Sequence, residues 1–188
     1  MCSSDLLCTI FLPILALELL LANLLQITSL LVLPFSSVIF RRINGAIAGL
    51  WFYQLALFLE FLPGLEFVIS GDLLEKRENT FVICNHQSAA DIPAIVVLAK
   101  KLGRTQDLKW FVKDVIKWIP GIGWGMLFLD CLYLKRNWTA DKEKILATFE
   151  RLRKNRSPFF LLSYVEGRSE EHTSELQSHH DLVCRLLL

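Results

Sequence analysis

The apolar residues of this chain are concentrated near its start. Residues 6–40 contain one charged side chain, Glu18, and the run ends at Arg41 and Arg42. A bilayer core about 30 Å thick is crossed by ~20 apolar residues, so this run is long enough to cross once. No Lys or Arg precedes it, so the basic start of a cleavable signal peptide is missing. We therefore predict a retained membrane anchor, in preference to a long buried core helix.

A second uncharged run covers residues 43–59 and contains Trp51 and Tyr53, residue types favoured at headgroup depth. This run could cross the bilayer, turn back or lie in the interface, and we favour a second membrane-embedded helix packed on the first. Residues 1–64 are thus predicted to form an N-terminal membrane-embedded helical segment. By the positive-inside rule, Arg41 and Arg42 would mark its cytosolic side.

Short apolar runs of the β type alternate with helical patterns farther along the chain. The strands are predicted over residues 80–84, 127–134 and 159–165, with a possible fourth over residues 65–70. The helices are predicted over residues 92–102, 107–118 and 139–155. Such alternation predicts an α/β fold, with a mixed, largely parallel sheet flanked by helices. Polar residues follow each main strand, and ligands bind beyond the carboxyl ends of strands in such sheets. One shared site is therefore expected.

Composition narrows the class of protein. The 188 residues are 53% hydrophobic, and 20 Lys and Arg stand against 19 Asp and Glu, which disfavours a nucleic-acid binder. Residues 71–167 alone hold 16 basic and 11 acidic side chains, which suits anionic headgroups or a phosphate-bearing substrate. The five cysteines show no CxxC spacing, so neither a disulfide framework nor a zinc site is indicated.

The texture changes at residue 168. Residues 168–188 match the translation of a common short-read sequencing adapter, and we interpret them as a non-native tail fused to a truncated gene. His172, His179, His180 and Cys184 lie in this tail and are assigned no metal site. His86 is then the one histidine left.

The heptapeptide Asn85–Asp91 (NHQSAAD) carries the main candidate chemistry. Five helical steps rotate the chain by about 140°, so His86 and Asp91 can meet only if the backbone turns between them, and Ser88 supplies a helix N-cap for that turn. A neutral imidazole accepts a proton near pH 7, and a carboxylate on its other nitrogen would fix its tautomer. The alternative is that Asp91 merely caps the following helix.

Three segments together resemble the glycerolipid acyltransferases, the family of the lysophosphatidic acid acyltransferases. NHQSAAD resembles the first motif, GIGWG through LFLDCLYLKR resembles the second, and Glu166 with Gly167 resembles the start of the third. The resemblance implies that His86 is the base and Asp91 its partner, supported by Asn85 and Ser88. It further implies a substrate-binding group for the acceptor's phosphate, which consists of Lys135, Arg136, Glu166 and Gly167.

The resemblance also implies the reaction. A membrane-bound enzyme would transfer a fatty acyl group from acyl-CoA, or from an acyl-carrier protein thioester, to 1-acyl-glycerol-3-phosphate, with no bound cofactor or metal. Lysocardiolipin or another lysophospholipid is the alternative acceptor. Residues 65–167 would form the acyltransferase domain, located in the endoplasmic reticulum of a eukaryote or the inner membrane of a bacterium. The third motif breaks after Gly167, so an inactive membrane-anchored fragment is the alternative from another class.

Two weaker features remain open. Lys109, Lys113 and Lys117 recur every four residues on the predicted helix 107–118 and could contact lipid headgroups or the phosphates of coenzyme A. A solvated helix face explains them equally well. The glycines of GIGWG predict a turn that admits either substrate or a neighbouring backbone. Cys84 and Cys131 are predicted to be core residues.

Overall fold

A computed structural model describes residues 3–72, 78–86, 88, 90–135, 137–164 and 185–187. The helices are α1 (Ser3–Thr28), α2 (Ser37–Phe61), α3 (Asp91–Lys101), α4 (Ile122–Phe128) and α5 (Trp138–Lys154). The strands are β1 (Thr80–Cys84), β2 (Leu108–Lys113), β3 (Leu132–Leu134), β4 (Phe160–Tyr164) and β5 (Arg185–Leu187). Helices and strands alternate from β1 to β4, as an α/β fold requires.

The first apolar run is broken before it reaches Arg41. After α1 and one 3-10 turn the chain reverses, and Ser36 caps α2 by accepting a hydrogen bond from the Ile39 N–H. Pro34 lies in this reversal, where its missing N–H is harmless. Arg41 and Arg42 therefore lie inside the first turns of α2 and not between the helices. Both helices are long and apolar enough to cross a membrane.

α2 contacts the α/β part of the molecule along most of its length. Near its start, Arg41 pairs with Asp130, and near its end Glu60 pairs with Lys100 of α3. Between these ion pairs, the ring of Phe52 packs on Trp110 of β2, with 5.2 Å between centroids. α1 packs on α2 and on α4 and leaves many large apolar side chains exposed.

The sheet confirms the predicted fold class. Its strand order is β3-β2-β4-β1-β5, and the pairings among the first four strands are parallel. β5 adds an antiparallel edge beside β1. Alternate residues of β1, among them Val82 and Cys84, enter a core shared with α2, α3 and β2. In the β1–β4 register Cys84 lies opposite Tyr164, so both strands end at the same edge.

Three predicted elements are wrong. The predicted helix 107–118 is β2 followed by a 3-10 helix, because β2 lies inside the sheet between β3 and β4. The predicted strand 127–134 is mostly the end of α4 and a turn, and only Leu132–Leu134 is extended. The turn contains Asp130 with a φ of 59°. The possible strand over residues 65–70 is irregular.

The predicted elements that correspond to β1, β4, α3 and α5 are confirmed within one residue, whereas the two N-terminal apolar runs form helices α1 and α2 with other bounds. The interpretation of residues 168–188 as a non-native tail stays a prediction, and residues 165–184 lie outside the described part of the chain.

Candidate active site

The chain places His86 two residues beyond the carboxyl end of β1 and Asp91 at the start of α3. The His86 Nδ1 lies 3.0 Å from Asp91 Oδ2, so the backbone turn expected between them exists. The imidazole is 20% exposed, whereas the carboxylate is only 8% exposed. A half-buried ring held by a buried carboxylate can still be reached from solvent on one side.

Ser88 builds the turn that brings the two side chains together. Its Oγ accepts the Ala90 N–H at 3.1 Å, and its carbonyl accepts the Asp91 N–H at 3.2 Å. Its own N–H donates to Asp91 Oδ2 at 3.0 Å. The two interpretations of Asp91 are therefore compatible, because the oxygen that ties down the start of α3 is also the one that meets the imidazole.

Tyr164 supports the other side of the imidazole. The two rings stack with 4.3 Å between centroids and 26° between planes. This contact follows from the parallel pairing of β1 with β4, which places the ends of both strands side by side. The contact of Tyr164 with the imidazole is not predicted from the sequence, because no local pattern reveals which strand lies next to β1.

The contact with Asp91 determines which ring nitrogen is available. When Nδ1 carries the proton and donates it to the carboxylate, Nε2 of a neutral imidazole has a free lone pair. Such a nitrogen can accept a proton from a substrate hydroxyl, and the carboxylate then stabilises the imidazolium. The arrangement is suited to general-base catalysis.

The predicted phosphate-binding group lies mostly outside the described residues. Arg136, Glu166 and Gly167 all belong to the part of the chain that is not described, whereas Lys135 is exposed after β3.

Asp141, a buried residue in the first turn of α5, is not among the residues predicted from the sequence. Its two carboxylate oxygens each accept a backbone N–H at 3.1 Å, one from Lys135 and one from Asn137. Asp141 thus holds the backbone on both sides of position 136.

The predicted lysine stripe does not exist. Lys109 is buried in β2, where its Nζ donates to the Leu129 carbonyl at 2.7 Å, and burial lowers the pKa of its ammonium group. Lys117 pairs with Asp114 at 2.6 Å, and Lys113 is exposed. Lys109 is buried near the start of β2, Lys113 is exposed at its end, and Lys117 lies in the 3-10 helix that follows, so the three lysines do not form one solvent-facing helix surface.

The structure tests the predictions made for Cys84, Cys131 and the glycines of GIGWG. Cys84 and Cys131 are buried, and burial raises the pKa of the Cys131 thiol to about 11, which confirms them as core residues. Among the residues that the structure describes, no cluster of three His, Cys, Asp or Glu side chains could hold a metal ion. The predicted turn over GIGWG is wrong except at Gly121, because residues 122–125 begin α4. The predicted close approach of a neighbouring backbone is found at Gly123, which packs against the carbonyl of Ile116.

Comparisons with known proteins agree with the geometry. The sequence model of the acyltransferase family matches residues 66–183. A 1-acyl-sn-glycerol-3-phosphate acyltransferase 2 from Brassica napus is 31% identical over 153 residues, which are 79% of this chain and 39% of that protein. The delta enzyme of the same name from Homo sapiens is 28% identical over 152 residues, 79% of this chain and 40% of that protein. No solved structure matches this chain. The chain thus spans about two fifths of the length of these relatives.

Proposed function

The chain belongs to the acyltransferase family, and on that premise we propose that it transfers a fatty acyl group from acyl-CoA to the free hydroxyl of a lysophospholipid. The preferred acceptor is 1-acyl-glycerol-3-phosphate, and the product is phosphatidic acid. The relatives' names support this acceptor class. The observation that carries the proposal is the 3.0 Å contact between His86 Nδ1 and Asp91 Oδ2.

The reaction needs one proton acceptor and no covalent protein intermediate. His86 Nε2 takes the proton of the acceptor hydroxyl while the hydroxyl oxygen attacks the thioester carbonyl. The resulting tetrahedral intermediate collapses, the C–S bond breaks, and the imidazolium returns its proton to the thiolate that leaves. Asp91 keeps the imidazole in the productive tautomer throughout, and Tyr164 keeps its plane fixed.

The phosphate of the acceptor is assigned to Arg136 and Lys135 with Glu166 and Gly167, on the basis of the family resemblance. Asp141 supports this assignment, because it anchors the backbone N–H groups of Lys135 and Asn137. An arginine side chain can bind a phosphate through two parallel hydrogen bonds. The apolar helices α1 and α2 are proposed to keep the enzyme on a membrane, the endoplasmic reticulum or a bacterial inner membrane, where the lipid acceptor resides.

The test is acyl transfer by the purified 188-residue chain and by a longer version with the relatives' full length, each with and without His86→Ala. Loss of the base should lower the rate by about 10²–10⁴-fold in protein that is still folded, as near-ultraviolet circular dichroism verifies. Leu146→Ala, an exposed change on α5, serves as the control. Undiminished transfer by the His86→Ala protein would overturn the proposed base.

The same preparation separates the alternatives. Faster turnover of a lysocardiolipin than of lysophosphatidate would reassign the acceptor while leaving the chemistry intact. Activity in the longer version alone would identify the 188-residue chain as an inactive fragment of an active enzyme.

A further inference from the structure

A second apolar surface lies between β2 and β3. Residues 115–127, which we call the β2–β3 segment, follow the carboxyl end of β2 and include all of α4 except its last residue. The large exposed apolar side chains of this segment are Val115, Trp118, Ile119, Ile122, Trp124 and Leu127. Trp118 alone is 74% exposed. Large apolar side chains exposed within one short segment favour an interaction site on that surface.

The burial pattern of α4 reverses that of a water-facing helix. The buried positions around its start are Gly121, Gly123 and Gly125, whereas Ile122 and Trp124 between them are exposed. A helix in water would bury the large apolar side chains and expose the polar ones. The glycines are buried because neighbouring groups approach them closely, so the outward direction of the large residues is built into the packing.

The segment packs against α1. A Cβ on Gly121 would lie 2.9 Å from Leu19 Cδ2, and Gln26 Nε2 reaches the Gly125 carbonyl at 3.5 Å. Leu19 lies near the middle of α1, which exposes apolar side chains such as Leu20 and Leu24 on its outer side. A bilayer that takes up the middle of α1 therefore also lies close to the β2–β3 segment.

The flanking side chains suit a membrane interface. Tryptophan is enriched at headgroup depth, and lysine stems extend toward the interface. The Lys117 ammonium lies 5.5 Å from the centre of the Trp118 ring and is paired with Asp114. The segment begins at the carboxyl end of β2, the same edge of the sheet beyond which His86 lies.

We propose that the β2–β3 segment is a lipid-contacting surface that inserts its apolar side chains into the same bilayer as α1. This proposal rests on the membrane attachment given under the proposed function and adds a second contact to it. The contact brings the edge of the sheet with His86 to the lipid surface, so that a lysolipid can reach the imidazole without entering water.

The test uses the full chain in phosphatidylcholine vesicles. Each variant carries one environment-sensitive dye, attached to Trp118→Cys, Ile122→Cys, Leu21→Cys or Leu146→Cys in a background without other exposed cysteines. Leu146 is the matched control, because it is an equally exposed apolar residue on α5. Lipids brominated at different depths report how deep each dye lies. We expect the dyes at positions 118 and 122 to be quenched about 5–10 Å below the headgroup boundary, as for interfacial helices.

The control position should show no quenching, and the dye at position 21 should report that α1 has entered the bilayer. Quenching at positions 118 and 122 but not at 146 supports the proposal. If position 21 is quenched while positions 118 and 122 are not, the segment faces water or a protein partner and the proposal is wrong. Equal quenching at 118 and 146 would also overturn it, since no particular surface would then contact lipid.

The readout does not depend on acyl transfer. Quenching without transfer would leave this surface standing and count against the proposed function alone. Transfer without quenching at positions 118 and 122 would support the proposed function and overturn the lipid-contacting surface. Near-ultraviolet circular dichroism of each labelled protein verifies that the cysteine substitutions leave the fold intact.

Discussion

The two ends of α3 each carry a pair formed by a nitrogen base and an aspartate, and the pairs differ in what they leave available. At the start of α3, His86 meets Asp91 through one ring nitrogen, and the ring is partly exposed. Beyond its end, Arg104 meets Asp107 at 3.2 Å, and both side chains are 2% exposed. One pair lies near the carboxyl edge of the sheet and the other at the amino edge.

The guanidinium of Arg104 is engaged through all three of its nitrogens. Nε donates to Asp107, Nη1 donates to Thr80 Oγ1 at 2.8 Å, and Nη2 donates to the Phe159 carbonyl at 2.9 Å. These bonds tie together the amino ends of β1 and β4. His86, by contrast, has a second nitrogen that its aspartate does not use. Burial alone therefore does not decide whether a base–aspartate pair is structural or catalytic. What decides it is whether the base keeps a nitrogen that can still form a hydrogen bond with a substrate.

The strongest test of this contrast is Asp91→Asn at the reactive end. Because Asp91 Oδ2 meets both the Ser88 N–H and the imidazole, an asparagine oxygen in its place can keep both hydrogen bonds but carries no negative charge. The imidazolium formed during transfer would then lose its counterion, so kcat should fall by about 10²–10⁴-fold while the unfolding temperature changes little. Asp72→Asn, at an exposed carboxylate, is the matched control. Full activity of Asp91→Asn would make the aspartate a helix cap only.

At the structural end, Arg104→Met should have the opposite signature. Removing the guanidinium deprives buried Asp107 of its cation and the Phe159 carbonyl of its donor, which should lower the free energy of unfolding by about 3–5 kcal/mol. Denaturant unfolding in detergent micelles measures this loss. Arg153→Met removes an exposed ion pair with Glu150 and should leave stability unchanged. A variant as stable as the parent would show that Arg104 is dispensable to the sheet.

A smaller effect is expected where α2 passes the loop that holds Asp107. A Cβ on Gly49 would lie 2.7 Å from the Cα of Gln106, so Gly49→Ala should destabilise the fold by about 1–3 kcal/mol. On Gly45 the nearest atom is the Gln106 carbonyl oxygen at 3.2 Å, and a gain in helix propensity of ~1 kcal/mol should offset that contact. Equal stability of the two variants, measured by the same unfolding experiment, would contradict close packing of α2 on this loop.

The smallest expected effect concerns the ring that stacks on His86. Tyr164→Leu removes an aromatic contact of about 0.5–1.5 kcal/mol and should lower kcat about two- to tenfold. Tyr164→Phe keeps the ring and isolates the part played by stacking. Steady-state kinetics of both variants would refute a positioning role for the ring if the leucine variant were as fast as the phenylalanine variant.

Local patterns predicted the elements whose own apolar pattern is regular, even where their pairing partners lie far along the chain. β1, β4, α3 and α5 follow from short apolar runs and helical periodicity, and α1 and α2 follow from uninterrupted apolar length. β2 was mistaken for a helix because Lys109 is buried in the core, where its ammonium group bonds the Leu129 carbonyl. A charged residue at a core position breaks the pattern on which such predictions depend.

By itself, the sequence determined the reactive pair, since His86, Ser88 and Asp91 lie within six residues and the turn between them is made by their own hydrogen bonds. The tertiary structure alone decided that Tyr164 stacks on the imidazole, that Arg104 joins two strands, and that the large residues of α4 face outward. Those arrangements depend on which strands pair and how closely helices approach. These contacts join residues that are far apart in the chain, so no local run of residues predicts them.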